Sequence, residues 1–350
     1  MDLREWGLRA SVEADWQAVD PDRRLTLARL GRVDGPAVDA WTAAGPVRVA
    51  VTKTLRRAEH APVVGDWGLL DLSAHPPRLR WLLPRHSQIQ RRAAGRKVAR
   101  QVLAANVDVA FLVVAMDDDF SERRLERYAT LVHESGARPV VVLTKAGLTE
   151  ASDDFVARAQ RVVPGVQVVV TDVLAGIEGD AVARCLRRGE TAVLLGSSGV
   201  GKSTLVNHLL GHPAMTTGSV RDSDGLGQHT TSHRELFVVP GGGIVIDTPG
   251  LREVALWVDP TAVDETFADI DALAARCRFG DCTHGTEPGC AVAQALASGE
   301  LDRARLDSYR SLRAEAERAA AQMTEHERRK SERKLGKLYR EIQASKRHRR

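Results

Sequence analysis

The spacing of apolar and polar residues changes character twice along this chain of 350 residues. Up to about residue 100, after an N-terminal stretch of helical character, short apolar runs alternate with turn residues. Gly31-Arg32-Val33-Asp34-Gly35, Val47-Arg48-Val49-Ala50-Val51 and Val63-Val64-Gly65-Asp66-Trp67 are examples. This rhythm predicts a small antiparallel β unit of the barrel kind. From about Asn106 the runs lengthen. Val109–Met116 is apolar throughout, as for a strand buried on both faces, and Ser121 stands as a cap before a helical segment. Pro139–Leu143, Val166–Thr171 and Thr191–Leu195 predict further strands, separated by helices over Asp154–Val163 and Ile177–Arg188. A helix from Lys202 and strands over Glu235–Val239 and Ile244–Ile246 complete the series. Alternation at this length predicts a parallel sheet covered by helices, so the chain is of a multidomain α/β class. Beyond Glu253 the pattern turns mostly helical, broken by a segment rich in Cys and His. Leu301–Gln322 reads as a surface helix.

Hydrophobic residues make up 43% and charged residues 27%, enough for packed cores in a soluble chain. No apolar run approaches the ~18–20 residues that span a bilayer. Met1-Asp2-Leu3-Arg4-Glu5 lacks the basic-then-apolar order of a secretory signal. A cytoplasmic protein with no membrane partner is expected. The formal charge of +4 conceals an asymmetry. Residues 328–350 hold eleven Lys and Arg against two Glu, whereas the remainder carries 39 basic and 44 acidic side chains. A basic tail on a mildly acidic body predicts a polyanionic partner.

The candidate chemistry centres on Gly196-Ser197-Ser198-Gly199-Val200-Gly201-Lys202-Ser203-Thr204. It matches G-x-x-x-x-G-K-[ST] in full, between a predicted strand and a predicted helix. Its glycines let the backbone wrap phosphates with N–H groups pointing inward, and the helix N-terminus favours anions. Lys202 is expected on the β- and γ-phosphates and Ser203 on Mg²⁺. Asp247-Thr248-Pro249-Gly250 follows an apolar strand. Asp247 can hold Mg²⁺ through water and Gly250 can donate its N–H to the γ-phosphate. Between the two motifs lies Gly227-Gln228-His229-Thr230-Thr231-Ser232, where Thr230 or Thr231 can close on phosphate and metal as a mobile switch. Leu251 stands where Ras-like enzymes orient water with Gln, and His229 is the nearest polar candidate for that task. Val142-Leu143-Thr144-Lys145 has the character of a base-reading segment, yet it lies about fifty residues before the phosphate loop rather than after it. The parts of a G domain are present in permuted order.

Three of the four cysteines fall in Cys277-x4-Cys282-x-His284-x5-Cys290. Three thiolates and one imidazole at short spacing predict a closed tetrahedral Zn²⁺ site of structural role. Cys185 lies elsewhere, on an apolar helix face, and reads as a buried thiol.

Together these residues resemble the circularly permuted GTPases that depend on the small ribosomal subunit (the RsgA or EngC type). The resemblance runs from about Pro62 to Cys290. Its further marks are Pro62-Val63-Val64-Gly65-Asp66, Leu83-Pro84-Arg85 and Ala105-Asn106-Val107-Asp108. It implies an OB-like barrel over 1–100, a permuted G domain over 101–253, a helical zinc-binding domain over 254–327, and the basic tail at 328–350. It also implies GTP hydrolysis with Mg²⁺, one structural Zn²⁺, stimulation by the 30S subunit late in its maturation, and contacts from barrel and zinc domain to 16S rRNA. A monomer is expected. His229 matches a family position that assists hydrolysis. Two departures concern the base. Where the family has Asn-Lys-x-Asp, this chain has Thr144-Lys145-Ala146-Gly147, without the carboxylate that reads guanine. The second base segment, Ser-Ala in the family, is Thr171-Asp172, and Asp172 is a partial substitute for the lost acid.

The expected function is therefore a GTPase of small-subunit maturation. Two other readings follow from the same residues: an NTPase of relaxed base specificity, favoured by Gly147, and an RNA-binding adaptor that nucleotide merely locks, compatible with Leu251.

Overall fold

The N-terminal strands bury one face each and close on themselves. In the computed structural model, which describes residues 2–57, 61–92, 100–214, 234–247, 260–285 and 287–322, a 3₁₀ turn at Leu3–Trp6 and helix α1 (Ala10–Val19) lead into β1 (Thr26–Asp34), β2 (Ala37–Thr42) and β3 (Gly45–Val51). A short helix α2 (Lys53–Arg57) precedes β4 (Trp67–Asp71) and β5 (Arg78–Leu82). The order is β1-β2-β3-β5-β4, and β4 returns to pair with β1 from Thr26↔Leu70 to Arg29↔Trp67. Leu30, Val38, Ala40, Val49, Leu70 and Leu79 pack together in its core. The predicted run Val63–Trp67 enters this sheet only at Trp67. Val64 and Gly65 instead form a turn: Gly65 N–H still reaches Leu30 O of β1 at 2.8 Å, but Val64 O is taken by the Ala105 N–H at 3.0 Å.

A two-stranded ribbon, β6 (Gln88–Arg92) and β7 (Arg100–Ala105), follows. The α/β series then runs β8 (Val109–Ala115), α3 (Glu122–Ser135), β9 (Arg138–Thr144), α4 (Ser152–Val162), β10 (Gln167–Val170), α5 (Gly179–Arg184), β11 (Thr191–Leu195), α6 (Lys202–Leu210), β12 (Glu235–Val238) and β13 (Ile244–Asp247). The strand order is β10-β9-β8-β11-β13-β12. All neighbours are parallel except β12, which runs antiparallel to β13. β8 and β11 are buried along their whole length, as the apolar runs Val109–Ala115 and Ala192–Leu195 predict. Ser121 caps α3, its Oγ accepting the Arg124 N–H at 3.4 Å. Helix α5 is shorter than the predicted Ile177–Arg188. Ile177 exchanges backbone hydrogen bonds with Asp172 at 2.8 and 2.9 Å, which keeps it out of the helix, and Gly189 at φ +77 turns the chain into β11.

The barrel and the α/β sheet are continuous, since β1 pairs with β12 at Arg32↔Glu235. Beneath this pairing lies a buried polar seam made of the three segments quoted above as family marks. Arg85 forks onto Asp66 at 2.6 and 2.8 Å, with Asp66 fully buried. Asn106 donates to Gly65 O at 2.9 Å. Arg29, 1% exposed, donates to Asn106 O and Thr191 Oγ1 at 3.1 and 3.2 Å and lies over the Trp67 ring. Burial pushes the Arg29 guanidinium down to about 10. Asp108 accepts the Thr191 N–H at 2.8 Å and pairs with His86 and Arg9. Burial raises its carboxyl, yet the bonds from His86 and Thr191 hold it below the ordinary range.

The chain divides into two units, Met1–Gln90 with Val102–Val254, and Arg91–Gln101 with Ala255–Arg350. In the second, α7 (Pro260–Thr266), α8 (Ala268–Ala274) and α9 (Ala291–Ser298) precede α10, helical over 303–322. Leu306, Tyr309, Leu312, Ala316 and Ala319 are buried, so the predicted surface helix hides one face at three- to four-residue spacing. Arg305 forks onto Asp269 at 2.8 Å and lies over Phe267. Among the described residues no helix is long and apolar enough to cross a membrane.

Candidate nucleotide and zinc sites

The phosphate loop joins the end of β11 to α6, where the motif requires it. A Cβ on Gly196 would stand 2.3 Å from the Val113 carbonyl of β8, so only glycine lets the loop leave the sheet there. Gly199 and Gly201 adopt φ +79 and +95, a region that other residues reach only with strain. The first N–H groups of α6 then have no partner within their own helix and favour an anion. Lys202 Nζ lies back along the loop, donating to Gly196 O at 2.8 Å and to Ser197 O. Ser198 and Gly199 are exposed, Val200 is buried beneath them, and Thr204 continues α6 after Ser203.

One support of this loop escaped the sequence pattern. Arg124, in the first turn of α3, donates to Ser197 Oγ at 2.7 Å and is held by Asp119 at 2.8 and 3.2 Å. Seventy-three residues separate Arg124 from Ser197. Only the Ser121 cap hinted that Arg124 begins a helix beside the loop.

Asp247 closes β13, which runs parallel to β11 from Thr191↔Ile244 to Val193↔Ile246. It therefore leaves the sheet at the same end as the phosphate loop. The hydroxyl of Ser203 and the carboxylate of Asp247 are hard oxygen donors of the kind Mg²⁺ takes. Gly250 and the rest of Thr248–Leu251, the switch residues His229, Thr230 and Thr231, and the basic tail at 328–350 lie outside the described residues.

The two segments expected to read the base leave the sheet beside the loop. β9 and β10 are parallel and in register at Leu143↔Val170, so Thr144-Lys145 and Thr171-Asp172 emerge together. Thr144 Oγ1 donates to Val200 O at 2.7 Å, bracing the phosphate loop. Lys145 adopts φ +62 and pairs with Asp117 at 2.8 Å. Gly147 N–H donates to Asp172 Oδ2 at 3.1 Å, and Thr171 Oγ1 to Ile177 O at 3.1 Å.

The four predicted metal ligands also converge. One ligand atom each from Cys277, Cys282, His284 and Cys290 lies within 4.8 Å of the others. Cys277 Sγ is 3.9 Å from Cys290 Sγ, and His284 Nδ1 is 3.6 and 3.7 Å from the two sulfurs. Zinc bound tetrahedrally at ordinary lengths sets S···S near ~3.8 Å and S···N near ~3.6 Å, so the residues fit the ion. The turn that presents His284 is stapled by Glu287, which accepts from the Thr283 N–H at 3.0 Å, the Gly285 N–H at 2.7 Å and the Thr283 hydroxyl. The Thr283 hydroxyl, with these backbone N–H groups, holds the Glu287 carboxyl down at about 2. Arg310 donates to His284 O at 2.7 Å. Cys185 is apart from this cluster and buried, its thiol pushed up by burial.

Comparison with known proteins agrees with this geometry. The RsgA GTPase family model matches residues 82–257. The small ribosomal subunit biogenesis GTPase RsgA of Streptomyces avermitilis is 43% identical over 326 residues, 91% of this chain and 87% of that protein. The protein of the same name from Syntrophotalea carbinolica is 39% identical over 358 residues, 97% of this chain and 98% of its own. The crystal structure of YjeQ from Thermotoga maritima has the same fold, with a TM-score of 0.62 at 22% identity over 83% of this chain and 98% of that one. That of YloQ, a circularly permuted GTPase, scores 0.60 at 22% identity over 84% and 96%. The family model spans half of the chain and the relatives cover nearly all of it, so this chain belongs to the RsgA GTPase family.

Proposed function

We propose that this chain is a GTP hydrolase acting in the biogenesis of the small ribosomal subunit. Membership of the RsgA GTPase family, with relatives named for that process, carries the reading. The phosphate loop supports it chemically. The backbone of Gly196–Thr204 wraps the β- and γ-phosphates, and Lys202 turns from its loop carbonyls to meet them. Ser203 and Asp247 hold Mg²⁺, whose contribution when bound is to offset charge on the β- and γ-oxygens. Thr230 and Thr231 close over the γ-phosphate, Gly250 donates its N–H to it, and His229 orients the attacking water because Leu251 has no group to do so. Thr144, Lys145 and Thr171 shape the base pocket. Cys277, Cys282, His284 and Cys290 hold one Zn²⁺ whose role is structural.

The partner is the 30S subunit. The barrel (1–100) and the zinc-binding helical domain (254–327) contact 16S rRNA, while the permuted G domain (101–253) carries the nucleotide. The basic tail (328–350) adds salt-dependent affinity for the phosphate backbone. The protein acts as a monomer in the cytoplasm. GTP turnover by the purified chain, with and without 30S subunits, tests the reading. Stimulation by subunits is expected, with a loss of roughly 10²–10³ in turnover for Lys202→Ala. Turnover indifferent to 30S subunits overturns the ribosomal assignment, and turnover indifferent to Lys202→Ala overturns the site.

A further inference from the structure

Residue 147 lacks the acid that reads guanine in this family's motif, yet the backbone gives no reason for glycine there. Gly147 is not among the glycines with positive φ. The space around it supplies the reason. A Cβ on Gly147 would lie 3.2 Å from Asp172 Oδ2, 3.2 Å from Ala175 Cβ and 3.8 Å from Ile177 Cδ1. The Asp172 carboxylate thus crowds the place where a side chain of residue 147 would begin, and it accepts the Gly147 N–H at 3.1 Å. An acid missing from one loop stands in the neighbouring loop, at the carboxyl ends of the parallel strands β9 and β10, where ligands of open α/β sheets bind.

The carboxylate is firmly placed. Its Oδ1 accepts the N–H groups of Leu174 and Ala175, each at 3.1 Å. The backbone of Asp172 is locked to Ile177 in both directions, and Ala146 N–H reaches Thr171 O at 3.5 Å, linking the two loops. This arrangement limits what the group can read. An ionised carboxylate has about four acceptor sites. Two on Oδ1 and one on Oδ2 are filled, so Oδ2 keeps one. Guanine offers N–H donors along its N1 and C2 edge, whereas adenine offers an acceptor at N1 and no amino group at C2.

We propose that Asp172 is the base-reading carboxylate of this chain, presenting Oδ2 alone to the donor edge of guanine in place of residue 147. The proposal rests on the GTPase reading above. One charge-assisted hydrogen bond replaces two, so discrimination against adenine is present but weaker than with a bidentate contact.

Titration of the full chain with fluorescent GTP and ATP analogues tests it. The unsubstituted chain should prefer GTP by about tenfold to a hundredfold, the range of one hydrogen bond to a charged group. Asp172→Ser keeps an oxygen to cap the Leu174 and Ala175 N–H groups but removes Oδ2. It should bring the GTP:ATP ratio close to one, with GTP affinity falling more than ATP affinity. In the double variant Asp172→Ala with Gly147→Asp, where the crowding oxygen is gone, the preference for GTP should return. A preference retained in Asp172→Ser, or absent from the unsubstituted chain that still binds both nucleotides, overturns this proposal alone. Failure of the unsubstituted chain to bind either nucleotide overturns the GTPase reading as well.

Discussion

The two ends of the proposed nucleotide site differ in what constrains them: the phosphate loop is fixed largely by its backbone, whereas base reading, as proposed above, falls to the side chain of Asp172. Gly196 lies against the Val113 carbonyl, and Gly199 and Gly201 take up backbone angles that other residues avoid. Every residue there is constrained by the path of the main chain, and the motif is complete. The base end consists of two loops, Thr144–Gly147 and Thr171–Asp172, that leave adjacent parallel strands. On the proposed reading it needs an acceptor at one place, which Asp172 of the second loop brings. A backbone device tolerates no relocation, whereas a side-chain device can be supplied by a neighbouring loop in hydrogen-bond contact, as Asp172 Oδ2 is with Gly147 N–H at 3.1 Å. The same contrast explains Thr144. Its hydroxyl donates to Val200 O at 2.7 Å and so ties the base-side loop to the phosphate loop, a task that needs a donor at that position.

Gly196→Ala tests the phosphate end most severely. The new methyl would meet a backbone oxygen at 2.3 Å, inside a sheet whose strands β8 and β11 are buried throughout. Neither strand can yield without losing ladder hydrogen bonds. Calorimetric titration should show affinity for GTP and ATP falling by at least about a hundredfold each, more than a lost neutral hydrogen bond explains. Binding within tenfold of the unsubstituted chain would show that the loop has slack, and the contrast between the two ends would fail.

Thr144→Val probes the joint between them. Valine keeps the shape and removes the donor, leaving the buried Val200 carbonyl without the Thr144 bond. A loss of about 1–3 kcal/mol is expected in nucleotide binding, that is, roughly fivefold to a hundredfold. Because the hydroxyl is spent on the Val200 carbonyl of the phosphate loop, GTP and ATP should weaken together. A change in the GTP:ATP ratio larger than the change in ATP affinity would place Thr144 on the base side of the joint.

Local signals reached the phosphate end almost completely. Thr191–Leu195 and the helix from Lys202 appear at their predicted bounds, since apolar runs and a glycine motif encode a strand, a turn and a helix start without distant help. The convergence of Cys277, Cys282, His284 and Cys290 is legible for the same reason, since they lie within fourteen consecutive residues. Contacts between distant segments were not legible. Arg29 over Trp67, Asp66 against Arg85, and Arg124 on Ser197 each depend on where the fold places separate segments. Helix α5 was overestimated because the apolar Ile177 suits a helix locally but spends its backbone bonds on Asp172. That same pairing fixes the carboxylate beside Gly147, so the least predictable stretch of the domain is also the one on which the proposed base reading rests.

Gly147→Ala gives the smallest effect and the finest test. The methyl would approach Asp172 Oδ2 and Ala175 Cβ at 3.2 Å, closer than most van der Waals contacts but against a side-chain oxygen that can move by a few tenths of an ångström. No backbone strain opposes it, and the loss of glycine's freedom in the unfolded chain favours the variant by about 0.4–1 kcal/mol. Crowding and entropy therefore nearly cancel, and the melting temperature should hardly change. The displaced Oδ2 still accepts the N–H of residue 147 but meets guanine less squarely. The GTP:ATP ratio should fall by about two- to fivefold, under ~1 kcal/mol, with ATP affinity constant. Collapse of binding to both nucleotides, as for Gly196→Ala, would mean that the base loops are as rigid as the phosphate loop. A side chain there could then not have traded its place with a neighbour.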